Sequence, residues 1–169
     1  PLAARRAVDR LVADLDAVIC ATPAEQHAVH ARAELLAGKH VMVEKPLATT
    51  TADCDALVAL AENRELQLMS GHTFLYSPAV ELLKQLVDGG ELGEVLYCYS
   101  QRLSLGAIRD DTSAMWDLAP HDVSIFLHLF GALPRMVTAQ QFSLLGARRE
   151  DIAMVTMAFD QRDLGSIDG

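Results

Sequence analysis

The chain has 169 residues, of which 51% are hydrophobic and 22% are charged, and its formal net charge is -9 at neutral pH. This length and composition predict a globular protein of one domain or slightly more. The acidic balance argues against a nucleic-acid partner, because affinity for phosphate backbones needs a clustered basic face. No membrane partner is expected either, since charges interrupt the apolar runs well before the roughly 20 residues that a membrane span needs.

The three cysteines, Cys20, Cys54 and Cys98, are widely spaced and odd in number. Their apolar contexts predict buried, reduced thiols rather than a disulfide framework or a zinc site. Reduced thiols are typical of the cytoplasm, where we expect this protein.

The first half of the chain alternates between strand and helix patterns. Short apolar runs at 16–21, 41–43 and 67–71 are typical of parallel strands buried on both faces. Amphipathic helices are predicted between them over 25–36, ending before Gly38, and over 51–64. This order predicts right-handed crossovers in a parallel α/β sheet.

The pattern changes after Gly71. Ser77 and Pro78 begin a predicted helix that ends at Gly89, and a second helix is predicted over 120–130. Alternating segments predict strands of a separate, mainly antiparallel sheet. These strands are expected at 94–104, 136–145, 152–159 and 164–167.

Polar or conformationally restricted residues follow each predicted strand of the first half. These segments are Ala21-Thr22-Pro23, Glu44-Lys45-Pro46 and Gly71-His72-Thr73. Ligands of open parallel sheets bind beyond the carboxyl ends of the strands, so these residues are candidates for a binding site. A proline after Lys45 restricts the local backbone, but a surface Lys-Pro turn is an equally simple interpretation.

Asp117 and His121 are four residues apart. If both lie in one helix, the carboxylate can orient the imidazole, and a nearby helix N-terminus would favour a neutral ring that accepts a proton. The alternative is that Asp117 only caps a helix that Pro120 begins.

The other candidates are less specific. His27 and His30 lie in the first helix, where a first-turn histidine can touch a ligand, although a solvated ring is the commoner case. A metal site built from His121, Asp122 and His128 would have suitable ligands, but no recognised zinc spacing is present, so no metal is predicted.

Substrate contacts are expected from arginines and aromatic residues of the second half. Arg102 and Arg109 can meet phosphate or carboxylate oxygens, or they can be solvated surface charges. Aromatic residues can line a sugar pocket, although core packing is the default for most of them. The candidates are Phe74, Tyr76, Tyr97, Tyr99 and Trp116.

Three ordered motifs together resemble the Gfo/Idh/MocA oxidoreductase family. They are residues 21–27, the segment 38–48 that contains Glu44-Lys45-Pro46, and the Asp-x-x-x-His pattern of residues 117–121. Residues 71–78, 101–106 and 116–122 further resemble the branch that acts on nucleotide-linked sugars such as UDP-N-acetylglucosamine.

The resemblance implies an α/β fold, with a Rossmann parallel sheet followed by an α+β domain whose open, mainly antiparallel sheet takes part in oligomer contacts. We expect this chain to hold part of each, in domains over 1–73 and 74–169. The glycine loop that meets the cofactor pyrophosphate is expected upstream, and the rest of the second sheet downstream.

The resemblance also implies NAD or NADP as cofactor and assigns residue roles. The catalytic residues would be Lys45, His121 and Asp117, and the substrate contacts would be Tyr76, Arg102, Arg109 and Trp116. The cofactor contacts would be Ala21, Thr22, Pro23, His27, Glu44 and Lys45. His121 would act as the acid/base, Lys45 would stabilise the developing alkoxide, and Asp117 would orient the histidine.

The expected function is therefore that of an NAD(P)-dependent sugar or nucleotide-sugar dehydrogenase, homo-oligomeric at full length. The 169 residues alone are expected to be inactive, because the pyrophosphate-binding loop is not among them. The competing hypothesis is a non-catalytic module that uses the same fold for sugar binding or assembly.

Overall fold

The computed structural model describes residues 14–103, 113–145 and 149–160. The chain divides into two compact units, Pro1–Gly71 and His72–Gly169. The division falls two residues before the boundary placed after Thr73 from the sequence.

The first unit is a parallel sheet with helical crossovers, as the sequence predicts. Its strands are Ala17–Cys20 (β1), His40–Val43 (β2) and Leu68–Ser70 (β3), in the order β1-β2-β3. Helices Ala24–Leu36 (α1) and Thr51–Asn63 (α2) connect them. Both strand pairs are parallel, which confirms the α/β class.

The core of this unit lies on one face of the sheet. In register, Cys20 pairs with Val43, and Val18 pairs with Val41. Side chains two residues apart along a strand share a face, so these positions present one apolar surface to the helices. The buried residues of this core are Cys20, Ala31, Leu35, Val41, Val43, Leu57 and Ala61.

The prediction that the strands are buried on both faces is wrong for the described residues. Ile19 of β1 is 68% exposed, and Met69 of β3 is exposed on the same face. Both helices belong to the single core cluster on the opposite face, as expected when successive right-handed crossovers fall on the same side of a sheet. Within residues 14–71, no element covers the second face.

The helix ends follow the expected local chemistry. The Thr50 side chain caps α2 by accepting from the amide of Asp53 at 3.1 Å. After α1 the chain turns at Gly38, whose φ of 79° lies in the left-handed region that a residue with a Cβ rarely adopts.

The second unit combines helices with an antiparallel strand pair. A 3₁₀ turn at Thr73–Tyr76 precedes helix Pro78–Asp88 (α3), and a longer helix spans Ala114–Phe130 (α4). Strands Met136–Phe142 (β4) and Ile152–Ala158 (β5) pair in antiparallel register. Phe130 of α4 packs against Phe159, with ring centroids 4.7 Å apart.

Helix α4 begins six residues earlier than the predicted start at Pro120. Ser113 caps it, because its hydroxyl accepts from the amide of Trp116 at 3.4 Å. Pro120 therefore lies inside the helix, where it cannot donate to the carbonyl of Trp116. The prediction failed because proline is far commoner in a first turn.

The strand predicted over 94–104 is not formed in its described part. Residues 94–103 have no regular secondary structure, and Leu96, Tyr97 and Tyr99 are exposed. A strand needs a hydrogen-bonded neighbour, and among the described residues of this unit β4 and β5 pair only with each other. Residue 104 and the predicted strand at 164–167 lie outside the described residues.

All three cysteines are free, as predicted, but they are not all buried. Cys20 is buried, Cys54 is partly buried and Cys98 is exposed. Burial raises the pKa of the Cys20 thiol, with a smaller contribution from Glu34, so the neutral thiol is favoured there. Across the described part of the chain, no helix is long and apolar enough to cross a membrane.

Replacing Leu35 with Ala should destabilise the protein by about 2–5 kcal/mol, because the change removes a fully buried side chain and leaves a cavity. Leu36→Ala is the matched control, since Leu36 is 47% exposed on the same helix. Its effect should stay within about 0.5 kcal/mol. Urea unfolding of both variants measures the difference, and equal losses would contradict this assignment of the core.

Candidate active site

The residues that follow β1, β2 and β3 lie at one edge of the first sheet. The amide of Glu44 donates to the carbonyl of Cys20 at 2.9 Å, and the amide of Gly71 donates to the carbonyl of Val43 at 2.7 Å. These bonds continue the parallel ladder to the strand ends. The first two predicted segments and Gly71 are therefore neighbours within this unit.

Gly71 approaches Glu44 closely. A Cβ on Gly71 would lie 3.3 Å from the Cα of Glu44 and 3.1 Å from its Oε2. The backbone at Glu44 cannot easily move away, because its amide is held by the ladder bond to Cys20. Glycine is thus the residue that allows the chain after β3 to pass beside the Glu44-Lys45-Pro46 segment.

The segment after β2 is partly buried, and the segment after β1 is exposed. Glu44, Lys45 and Pro46 have intermediate exposure, and the Lys45-Pro46 peptide bond is cis. Ala21, Thr22 and Pro23 are all exposed. The assignment of Ala21, Thr22 and Pro23 as cofactor contacts stays a prediction. Their side chains are accessible to a ligand at the sheet edge.

His27 is 1% exposed, so the expectation of a solvated ring is wrong. Its Nδ1 lies 2.7 Å from the carbonyl oxygen of Pro46, and its Nε2 lies 2.7 Å from the carbonyl oxygen of Thr22. The tautomer decides which nitrogen donates. His30, one turn further along α1, is exposed, and its Nε2 lies 3.2 Å from Gln26 Oε1.

In the second unit, Asp117 and His121 both lie in α4 and are one turn apart. Ser113 is the cap of this helix, so the alternative in which Asp117 caps a helix starting at Pro120 is wrong. His121 lies about two turns inside the helix. The sequence interpretation expected a nearby helix N-terminus to favour the neutral ring of His121. The N-terminus of α4 is too distant for this effect.

A stack of side chains supports the His121 ring. Phe74 meets it edge to face, with ring centroids 4.8 Å apart. The Arg102 guanidinium lies 4.4 Å from the centroid of Phe74, and its Nε donates to Asp122 Oδ2 at 2.7 Å. Asp122, Arg102 and Phe74 thus connect the residue after His121 back to the His121 ring.

This stack was not found from the sequence. Arg102 and Asp122 are 20 residues apart, and no periodicity relates them. The nearest signal was the position of Asp122 directly after His121. Because the bond to Asp122 uses only Nε, the guanidinium has further donors, and its predicted substrate contact stays a prediction.

The other predicted substrate contacts differ in position. Tyr76 is 64% exposed and Trp116 is 53% exposed, so neither follows the default of core packing. Arg109 lies outside the described residues. The exposed aromatic surfaces are suited to contact a ligand, as the sequence interpretation requires.

His72 adds a buried polar atom near the start of the second unit. Its Nδ1 is buried and has no hydrogen-bond partner among the described residues. Burial lowers the pKa of this imidazole, which favours the neutral ring at neutral pH. In residues 14–103, 113–145 and 149–160, no three His, Cys, Asp or Glu side chains gather as a metal site.

Two family models cover most of the chain. Residues 3–72 match the model of an oxidoreductase family with an NAD-binding Rossmann fold, and residues 80–169 match the Gfo/Idh/MocA C-terminal domain. The chain belongs to the Gfo/Idh/MocA oxidoreductase family. The resemblance drawn from the sequence motifs is confirmed.

Individual members are similar to this chain over part of their length. UDP-N-acetylglucosamine 3-dehydrogenase of Acidithiobacillus ferrooxidans is 36% identical over 133 residues, which are 78% of this chain and 41% of the relative. A structure of the A. ferrooxidans enzyme has a TM-score of 0.78 at 34% identity, covering 89% of this chain and 48% of that one. This chain therefore spans less than half of that relative.

A second structure carries a bound cofactor. GenD2 from gentamicin A biosynthesis, in complex with NAD, has a TM-score of 0.76 and 29% identity. The match covers 92% of this chain and 50% of GenD2. The fold of this Gfo/Idh/MocA chain is thus that of an NAD-binding oxidoreductase.

Replacing Arg102 with Lys should destabilise the family member by about 1–3 kcal/mol, because lysine keeps the charge but loses the planar stacking on Phe74 and the Nε bond. Arg135→Lys is the control. Its Nε lies 3.2 Å from Asp160 Oδ1, but both side chains are more than half exposed, so its loss should be near zero. Urea midpoints compare the two, and a larger effect at Arg135 would be inconsistent with the stack.

Proposed function

We propose that the full-length protein transfers hydride between NAD or NADP and a hydroxyl carbon of a sugar or nucleotide sugar. The observation that carries the proposal is the position of Asp117 and His121, one turn apart in α4. The chain that carries this pair belongs to an oxidoreductase family with an NAD-binding Rossmann fold. The proposal extends to the whole protein, of which this chain is one part.

The carboxyl edge of the first sheet fits the nicotinamide side of a dinucleotide. The segment after β1 is exposed, and Gly71 has no side chain where the backbone passes Glu44. We assign the cofactor contacts to Ala21, Thr22 and Pro23, and to Glu44 and Lys45. A bound nicotinamide supplies or accepts the hydride.

The chain's own residues handle the proton and the charge. Hydride leaves a carbinol carbon only as the hydroxyl proton is removed, so a base must reach that oxygen. We assign this role to His121, with Asp117 on the same helix face as the group that orients or polarises the ring. Lys45 is assigned to stabilise negative charge on the oxygen.

A nucleotide-linked hexose is the proposed substrate class. The A. ferrooxidans relative is named for UDP-N-acetylglucosamine, and this chain has exposed aromatic surfaces at Tyr76 and Trp116. Arg102 and Arg109 are the proposed contacts for phosphate or carboxylate oxygens. Sugar faces pack on aromatic rings while the charged end of such a substrate requires cations.

We also propose a cytoplasmic homo-oligomer. The free cysteines support a reducing compartment, and exposed apolar residues on β4, including Met136, Val137 and Phe142, support burial against another chain. A non-catalytic sugar-binding or assembly module remains the competing function, and the next experiment separates the two.

In the full-length protein, His121→Asn should slow single-turnover hydride transfer by about 10²–10⁴-fold, while folding and cofactor binding persist. Lys45→Met should also slow it, because charge on the oxygen loses a cation. Asp117→Asn should cost less if that residue only aligns the ring. His128→Asn on the same helix is the control. Normal rates in both His121→Asn and Lys45→Met would exclude the assigned roles and favour the binding module.

The full-length protein should also prefer UDP-linked hexoses to free glucose or inositol, since only the former supply phosphates for the arginines. The reduction of NAD and of NADP is monitored by absorbance with each substrate of this panel, which gives kcat/KM for each substrate. Higher efficiency with the free polyols would rule out the nucleotide-sugar class and leave the general dehydrogenase assignment intact.

A further inference from the structure

The buried ring of His27 joins two turns that the β-ladder does not connect. Its Nδ1 lies 2.7 Å from the carbonyl oxygen of Pro46, and its Nε2 lies 2.7 Å from the carbonyl oxygen of Thr22. Thr22 follows β1, and Pro46 follows β2. The ring therefore spans from the end of one parallel strand to the end of its neighbour.

The ladder between these strands stops before the two turns. The described backbone bonds between them end with the donation from the Glu44 amide to the carbonyl of Cys20, at 2.9 Å. Thr22 and Pro46 each lie two residues beyond these partners. Without a further connection, the spacing of the turns would depend on the chain alone.

Both partners of His27 are carbonyl oxygens, which only accept hydrogen bonds. A neutral ring donates to one of them, according to its tautomer, and an imidazolium donates to both. In either form a carbonyl oxygen occupies the position beside each nitrogen, so neither nitrogen is open to a ligand. A bound dinucleotide therefore gains nothing from the ring directly, and any influence of His27 on it acts through the two turns.

Those turns carry the residues assigned to the cofactor and to charge stabilisation. Pro46 directly follows Lys45, and Thr22 lies between the exposed Ala21 and Pro23. On its other side the same segment is confined by Gly71, because a Cβ there would lie only 3.3 Å from the Cα of Glu44. Both neighbours of Lys45 in the chain are therefore held. Glu44 contacts Gly71 after β3, and Pro46 contacts His27 of α1.

We propose that His27 is a positioning residue that sets the distance between the Thr22 turn and the Lys45-Pro46 turn, and so aligns Lys45 with the nicotinamide side of the cofactor. The inference rests on the proposed function, and it replaces the direct cofactor contact expected of His27. It differs from a packing role, because an apolar ring of similar size would fill the space but leave both carbonyls unbonded.

The test uses three variants of the full-length protein. His27→Phe keeps an aromatic ring and removes both donors, whereas His27→Gln keeps an amide that can donate to one carbonyl. His30→Phe is the matched control, since His30 lies one turn along α1 and is exposed. The readouts are peptide hydrogen exchange, NAD(H) affinity by fluorescence titration, and single-turnover hydride transfer at saturating NAD and UDP-N-acetylglucosamine.

We expect His27→Phe to raise hydrogen exchange specifically in peptides covering 21–24 and 44–48. It should weaken NAD(H) binding about tenfold and slow hydride transfer at saturation by about 10–100-fold, because small displacements of reacting groups are costly. His27→Gln should recover part of each loss, and His30→Phe should match the wild type. If His27→Phe does not fold, the graded loss in His27→Gln carries the test.

Two results would overturn the inference. One is normal hydride transfer at saturation in a less stable His27→Phe protein, which is the behaviour of a packing residue. The other is unchanged hydrogen exchange at 21–24 and 44–48. If the wild type shows no NAD-dependent oxidation, the proposed function fails separately, and the exchange comparison still decides whether His27 holds the two turns.

Discussion

Parallel hydrogen bonding between β1, β2 and β3 is the constraint on which the candidate site of the first unit depends. In a parallel ladder the carboxyl ends of all strands face one edge, so residues distant in sequence become neighbours there. Thr22, Lys45 and Gly71 reach this edge from three different strands. One buried core on one sheet face fixes the register, because a slip by one residue would expose Val41 and Val43.

The ladder fixes strands, but it does not fix the turns beyond them. In the first unit this task falls to close packing at Gly71 and to the contacts of the His27 ring with two carbonyl oxygens. In the second unit helix periodicity sets Asp117 and His121 on one face, and the stack of Phe74 and Arg102 limits the ring of His121. Both units therefore hold candidate residues through contacts from other segments.

Much of this fold was predictable because local patterns coincide with the final structure. Apolar runs gave β1 and β2, and Gly38 marked the end of α1. The failures have different causes, since one depends on a strand partner that the described residues lack and the other on a local cap. The segment 94–103 has strand composition but no strand beside it, and α4 starts at a serine cap rather than at its proline.

The candidate residues were predictable to the extent that a motif carries them. Lys45 and the Asp117 to His121 spacing belong to short local patterns, so the sequence displays them. The bond between Arg102 and Asp122 does not, because the two are 20 residues apart and only the packed structure brings them together. His27 was visible as a motif residue, but its burial depends on the rotation of α1 against the sheet.

Burial also separates residues that tolerate substitution from residues that do not. Tyr76 and Trp116 are mostly exposed, so substitutions there remove little buried area and cost little stability. His27 and Gly71 are enclosed, and a change at either leaves carbonyls unbonded or forces backbone apart. A protein built this way can alter the surfaces assigned to substrate while keeping the turn that carries Lys45 in place.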